Sequence, residues 1–278
     1  MKTIAELRKQ QYEQHYAGLR CFKGWKTPYS CLKARFYMQA SAWLVYVLQR
    51  TSVTPNMLTV LYCLLGLAGG LLLGMATRVS VLLAVFIFFT KGILDWSDGH
   101  LARLTNRLSC QGAMLDGYGA VLGAMGLQIG LGFYVAHRSS CVMYYYLIPL
   151  LPLFFLGKFH NYALAELFKT CLNKKALTKY ARQDNENRTD LQNYANVLSP
   201  ALLRARDVIN NFLDNRARTV DLVCLLLVIE TFTAVSVTWI VFLGFLTREF
   251  LLFWSSFYIV WRSQWIDNQL ALKAKDLL

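Results

Sequence analysis

Residues 79–103 read VSVLLAVFIFFTKGILDWSDGHLAR. From Val79 to Thr90 there is no charge; Lys91, Asp95, Asp98 and Arg103 then follow with no proline to break the run. Such a stretch reads as an apolar helix that continues into a polar end. About 20 mostly apolar residues are needed to cross a bilayer core, and the chain offers several runs of that kind. Residues 55–77 precede the quoted stretch, 79–94 lie within it, and 111–135 follow it. A fourth run extends from 141 to about 167. Residues 219–262 are too long for one crossing and divide into two near 236–239. The fold class expected is all-α: a polytopic membrane protein with six transmembrane helices.

Composition agrees. Apolar residues make up 56% and charged residues 16% of the chain, and the mean hydropathy is +0.35, well away from the balance of a soluble domain. A net charge of +13 accompanies this apolarity, so the charges are concentrated outside the spans. A basic excess indicates nucleic acid or an anionic membrane surface. With this many apolar runs the partner expected is membrane lipid and no nucleic acid. Seven scattered cysteines include no CxxC pair, which supports neither a zinc site nor a redox motif. The first thirty residues are polar, without the apolar core of a signal peptide.

Basic residues sort by side. Lys2, Arg8, Lys9, Arg20, Lys23, Lys26, Lys33, Arg35 and Arg50 precede the first span, and Lys174, Lys175, Arg182, Arg188, Arg204 and Arg206 fall in the segment 158–218. The opposite turns hold Arg78 and Arg138. By the positive-inside rule both termini, and the acidic end of the second span, face the cytoplasm; in a bacterium the membrane would be the inner one. Two regions follow: 1–50, a cytoplasmic and interfacial segment, and 51–278, the six-helix membrane domain. Within the first, residues 31–49 place Leu32, Phe36, Trp43 and Val47 near one helical face. The apolar part, 40–48, is too short to cross. It reads as an amphipathic helix in the membrane interface, the alternative being a soluble helix packed on a neighbour. Residues 185–193 are polar and read as a loop.

The chemistry lies at the second span's polar end. Asp95, Asp98, Gly99 and Ala102 fall on one helical face, Arg103 follows, and after eight residues Gly112 and Asp116 share a face of the next helix. Carboxylates near a bilayer are costly and usually mark a site. Three together repel one another unless cations sit among them, and hard oxygen ligands favour Mg²⁺ or Mn²⁺. Such ions commonly serve phosphate chemistry. The residues alone thus reach a metal-dependent phosphoryl-group site and no specific substrate.

The string resembles the signature of the CDP-alcohol phosphotransferase (class I phosphatidyltransferase) family, DxxDGxxAR followed after eight or nine residues by GxxxDxxxD. Asp95, Asp98, Gly99, Ala102, Arg103, Gly112 and Asp116 match seven of its eight fixed positions, and Pro55, Asn56 and Thr59 resemble the PNxxT that opens its first span. The resemblance implies a six-span fold with an amphipathic N-terminal helix, and a homodimer. It also implies transfer of a substituted phosphate from a CDP-alcohol, commonly CDP-diacylglycerol, to an acceptor alcohol with release of CMP, in phospholipid biosynthesis. Asp95, Asp98 and Asp116 would hold two Mg²⁺ or Mn²⁺ ions. Gly99, Ala102 and Gly112 would let the cytidine diphosphate approach, with Arg103, Asn56 and Thr59 in contact with it.

The eighth position departs. Ala120 stands where the family has its last aspartate, a metal ligand and its proposed general base. An engineered change, a natural variant with another base, and a catalytically inactive family member all remain open. His100 and Tyr118 are the titratable groups nearby, and Asp116 is the remaining carboxylate of that helix. Bland readings stand beside these. Lys91 pairs with an acidic neighbour or snorkels. Lys158 and His160, and Arg204 and Arg206, grip an acceptor phosphate or serve as interfacial charges. Glu230 and the Arg248–Glu249 pair are structural. A cation transporter built on the same aspartates would show inverted repeats, and the second half of the chain has no acidic counterpart.

Overall fold

The computed structural model describes residues 2–16, 28–156 and 217–262, and those residues form helices with no strand among them. The short helix α1 (Ile4–Tyr16) begins where Thr3 and Glu6 bond reciprocally to each other's backbone N–H, a capping box. Then come α2 (Pro28–Leu48), α3 (Pro55–Gly74), α4 (Arg78–Leu104) and α5 (Cys110–Ser139). Helix α6 (Val142–Leu147) resumes after a turn over residues 150–156, and α7 (Ala217–Phe232) and α8 (Thr238–Arg262) close the described chain.

Three of these, α3, α4 and residues 111–139 of α5, are long and apolar enough to cross a membrane among the described residues. The chain is a membrane protein. The second half of the expected fourth span, the loop at 185–193, and Lys158, His160, Arg204 and Arg206 lie outside the described residues. Helices α7 and α8 are separated by a break at residues 233–237, a few residues before the one expected at 236–239. Glu230 fixes that break by accepting from the backbone N–H of Val237 and Thr238 and from the Thr238 hydroxyl.

Each span is capped by its own sequence. Thr54 caps α3, with Pro55 in the first turn, where a missing N–H costs nothing. Thr77 and Ser80 form a capping box on α4. Its 27 residues extend for about 40 Å, so its polar end lies at the bilayer edge. There Asn106 takes a left-handed φ of 52°. Asn106 N–H donates to Arg103 O at 3.4 Å and Arg107 N–H to Ala102 O at 2.9 Å, the paired bonds of a Schellman ending. The chain turns back within five residues, and Ser109 caps α5 by accepting from Gly112 N–H at 3.0 Å.

Lipid gives helices no hydrophobic reason to associate, so small residues that admit close packing decide which ones pair. Here α3 and α5 meet backbone to backbone. A Cβ added at Gly66 would stand 2.8 Å from the Gly123 Cα, and one at Gly70 would strike the Gly126 carbonyl; at Gly130 it would strike that of Gly70. Beyond this contact, away from the acidic end, Leu73, Phe88, Leu127, Leu131, Leu227, Phe242 and Phe245 form a closed apolar core.

Helix α2 lies where the amphipathic helix was expected. Leu32, Phe36, Trp43 and Val47 are exposed along it, while Tyr37, Met38, Ser41, Ala42 and Val45 are buried. Its inner face is latched by Lys33, 2.9 Å from Asp221 of α7 and 3.2 Å from the centroid of the Phe89 ring. Burial, with the Asp221 charge behind it, pushes the Tyr37 phenol above its ordinary value. Helix α1 closes over the other end of α2. Leu7 joins Ala42, Val45, Leu58 and Leu101, and Gln11 Nε2 lies 2.7 Å from both Ser41 Oγ and His100 Nδ1.

Replacing Gly70 by valine forces α3 away from the Gly126 carbonyl. Overpacking of this kind costs about 3 kcal/mol, and a lowered Tm of the detergent-solubilised chain will show it. An unchanged Tm would mean that the two helices do not pack at this separation.

Candidate functional site

The turn between α4 and α5 brings the polar end of one helix against the first turns of the other, and the glycine contact holds α3 beside both. Side chains from all three therefore meet. Asp98 is buried. Its Oδ2 accepts from the Thr59 hydroxyl of α3 at 2.5 Å, and its Oδ1 from the Gly99 N–H. Asp116 is exposed on α5, with the Tyr62 hydroxyl 2.6 Å from its carbonyl oxygen and 3.0 Å from its Oδ1. Asp95, also exposed, feels the charges of both Asp116 and Asp98.

The remaining positions ring these carboxylates. Arg103 folds back over Gly99, its Nη1 lying 3.3 Å from where a Cβ would stand there, and its charge acts on Asp98. Asn56 Oδ1 lies 3.1 Å from the corresponding position at Gly112, so the first turns of α3 and α5 approach each other at this pair. A side chain larger than hydrogen at residue 112 would crowd Asn56. Gly99 and Gly112 are half-buried, whereas Ala102 is buried in the packing. Ala120 is exposed one turn beyond Asp116.

Of the two nearby titratable groups, His100 is fully buried against α1 and α2, bonded to Gln11. It is built into the back of the motif helix. Tyr118 is half-buried, two residues and therefore about 200° around α5 from Asp116. Tyr62 was not anticipated as a site residue. Its signal lay in the helical spacing, since it follows Thr59 by three residues and shares that face of α3.

The donor set can be weighed against the ions it would hold. Three carboxylates from two helices suit one hard divalent cation in chemistry and number, since Mg²⁺ commonly keeps several waters. Among the described residues, however, no three His, Cys, Asp or Glu side chains are gathered tightly enough to clasp an ion together. Asp98 and Asp116 are turned toward Thr59, Gly99 and Tyr62 instead. These side chains would have to turn from those partners to close on a cation, and Ala120 supplies no fourth ligand.

All these residues fall in one stretch of sequence. Residues 52–160 match the family model described as CDP-alcohol phosphatidyltransferase. No curated protein matches the chain. The matched stretch includes α3, α4 and α5 entire, with Asn56, Thr59, the aspartates, Arg103 and both motif glycines. On that match, residues 52–160 are similar to the CDP-alcohol phosphatidyltransferase family.

Proposed function

We propose that the chain transfers a substituted phosphate group from a CDP-alcohol, CDP-diacylglycerol in the first instance, to an acceptor alcohol with release of CMP. The observation that carries this reading is the family match over the stretch in which the charges of Asp95, Asp98 and Asp116 act on one another beside the Asn56–Gly112 pair. Cytidine diphosphate would lie against Gly99 and Gly112, where the absence of side chains admits it, with Asn56 and Arg103 as its polar contacts. Thr59 and Tyr62 hold Asp98 and Asp116 in place. Asp95, Asp98 and Asp116 would ligate Mg²⁺ or Mn²⁺, which when bound neutralises charge on the diphosphate.

The acceptor oxygen attacks the β-phosphorus, and the bond from that phosphorus to the oxygen bridging toward CMP breaks. CMP leaves with the electron pair. Asp116, the exposed carboxylate one turn before Ala120, takes the acceptor's proton. The basic segments on the motif's side support a cytoplasmic face for this chemistry.

Three measurements test the reading. Asp95→Asn, Asp98→Asn and Asp116→Asn will each lower CMP release from CDP-diacylglycerol by at least about 10²-fold, with the protein still monodisperse. Full activity in any one of them would remove that residue from the site. His100→Ala removes one of the two partners of the buried Gln11 amide, at a cost of about 1–3 kcal/mol, so it will lower the Tm yet leave CMP release per folded molecule within about twofold. A loss comparable to that of the aspartate variants would make His100 the base instead. With Cys110 as the sole cysteine, a membrane-impermeant thiol reagent will label it in inverted vesicles and not in right-side-out ones. The reverse pattern would overturn the orientation.

A further inference from the structure

Lys91 sits on α4 four residues before Asp95, one turn further into the membrane. Its ammonium has a place made for it. A Cβ added at Gly123 would collide with Lys91 Nζ, and one at Gly66 would stand 3.9 Å from it. Gly123 thus leaves a slot for the head of this side chain, and Gly66 of the facing helix borders it at ordinary contact distance. The Asp95 charge acts on it from one turn away. Gly123 is on the same helix as Asp116 and Ala120, three residues beyond the alanine, so the slot opens beside the position where the motif lacks its carboxylate. A lysine inside a span is costly unless it faces an opposite charge or performs a function. A lysine that merely snorkelled would stretch toward the interface and would need no glycine slot.

The charges match. A fourth carboxylate together with a second divalent ion adds one net positive charge to the site, and so does an alanine together with a lysine. We infer that the Lys91 ammonium is a resident cation replacing a second divalent ion, so that this chain binds one Mg²⁺ or Mn²⁺ at Asp95, Asp98 and Asp116. The inference rests on the metal-site reading given above. It assigns Lys91 a positioning role, its charge acting on Asp95 and offsetting the crowd of carboxylates, while Ala120 becomes the matching half of the same exchange rather than a lesion.

Counting Mn²⁺ by electron paramagnetic resonance on the purified full chain in detergent tests this without any turnover. The wild type will bind one ion per chain. Ala120→Asp alone will still bind one, because the new carboxylate pairs with Lys91. Ala120→Asp combined with Lys91→Met will bind two, and their spectrum will show spin coupling between neighbouring ions. The combination with Lys91→Gln repeats the test should the methionine variant aggregate. Two ions in the wild type, or in Ala120→Asp with the lysine intact, would show that Lys91 does not occupy an ion's role. A single ion in both double variants would also overturn the inference while leaving the metal-site reading in place. No Mn²⁺ in any variant would reject the metal-site reading, and the inference with it.

Discussion

The approach of α3 to α5 across their glycines is the constraint on which the remaining geometry depends. Backbone-to-backbone contact leaves little freedom to slide, because the Gly66 and Gly70 carbonyls of α3 face Gly126 and Gly130 of α5, which have no Cβ. Fixing the height of α5 against α3 sets Asn56 opposite Gly112 and Tyr62 opposite Asp116. The Schellman turn at Asn106 then fixes α4 relative to α5, and the bond from Thr59 to Asp98 ties α4 back to α3. Three short-range devices, each encoded locally, together assemble a site whose parts come from positions 56 to 116.

The two ends of the bundle are built from different interactions. Away from the motif, Phe88, Leu131, Phe242 and Phe245 fill the interior with apolar contact. Near the motif the helices are joined by polar contacts as well, Thr59 with Asp98, Tyr62 with Asp116 and Gln11 with Ser41 and His100. Lys33 is enclosed by Phe36, Tyr37 and Phe89 as well as by Asp221, so a cation that precedes the first span serves to lock the interfacial helix to α4 and α7. Because the polar end is already fastened from outside, its carboxylates can stay close together at the centre, where mutual repulsion would otherwise spread the helices.

Much of this was legible in the sequence because it is local. The unbroken passage from Phe89 through Lys91 to Arg103 announced a span that continues as a polar helix, and α4 does so through Leu104. The exposed row Leu32, Phe36, Trp43 and Val47 follows from helical spacing alone. Other features were not legible for equally physical reasons. Helix α1 has no apolar period to betray it; its one sign is the Thr3–Glu6 capping box, easily passed over in a polar terminus. The pairing of Lys33 with Asp221 spans 188 residues, and no local pattern encodes it. The seven motif positions were all identifiable, but which of them face an opening and which the packing depended on neighbours in α3, so Ala102 could not be told apart from Gly99.

The bond between Gln11 and His100 also bears on how the chain is made. The two residues are 89 positions apart, so α1 leaves the ribosome long before the helix it docks on exists. Until α4 has been synthesised and inserted, Leu7 and Gln11 can meet Ala42, Val45 and Ser41 of α2 but lack Leu101 and His100. The N-terminal helix can therefore complete its docking only against a finished motif helix, and that last step marks, during biogenesis, the moment at which the second span is in place.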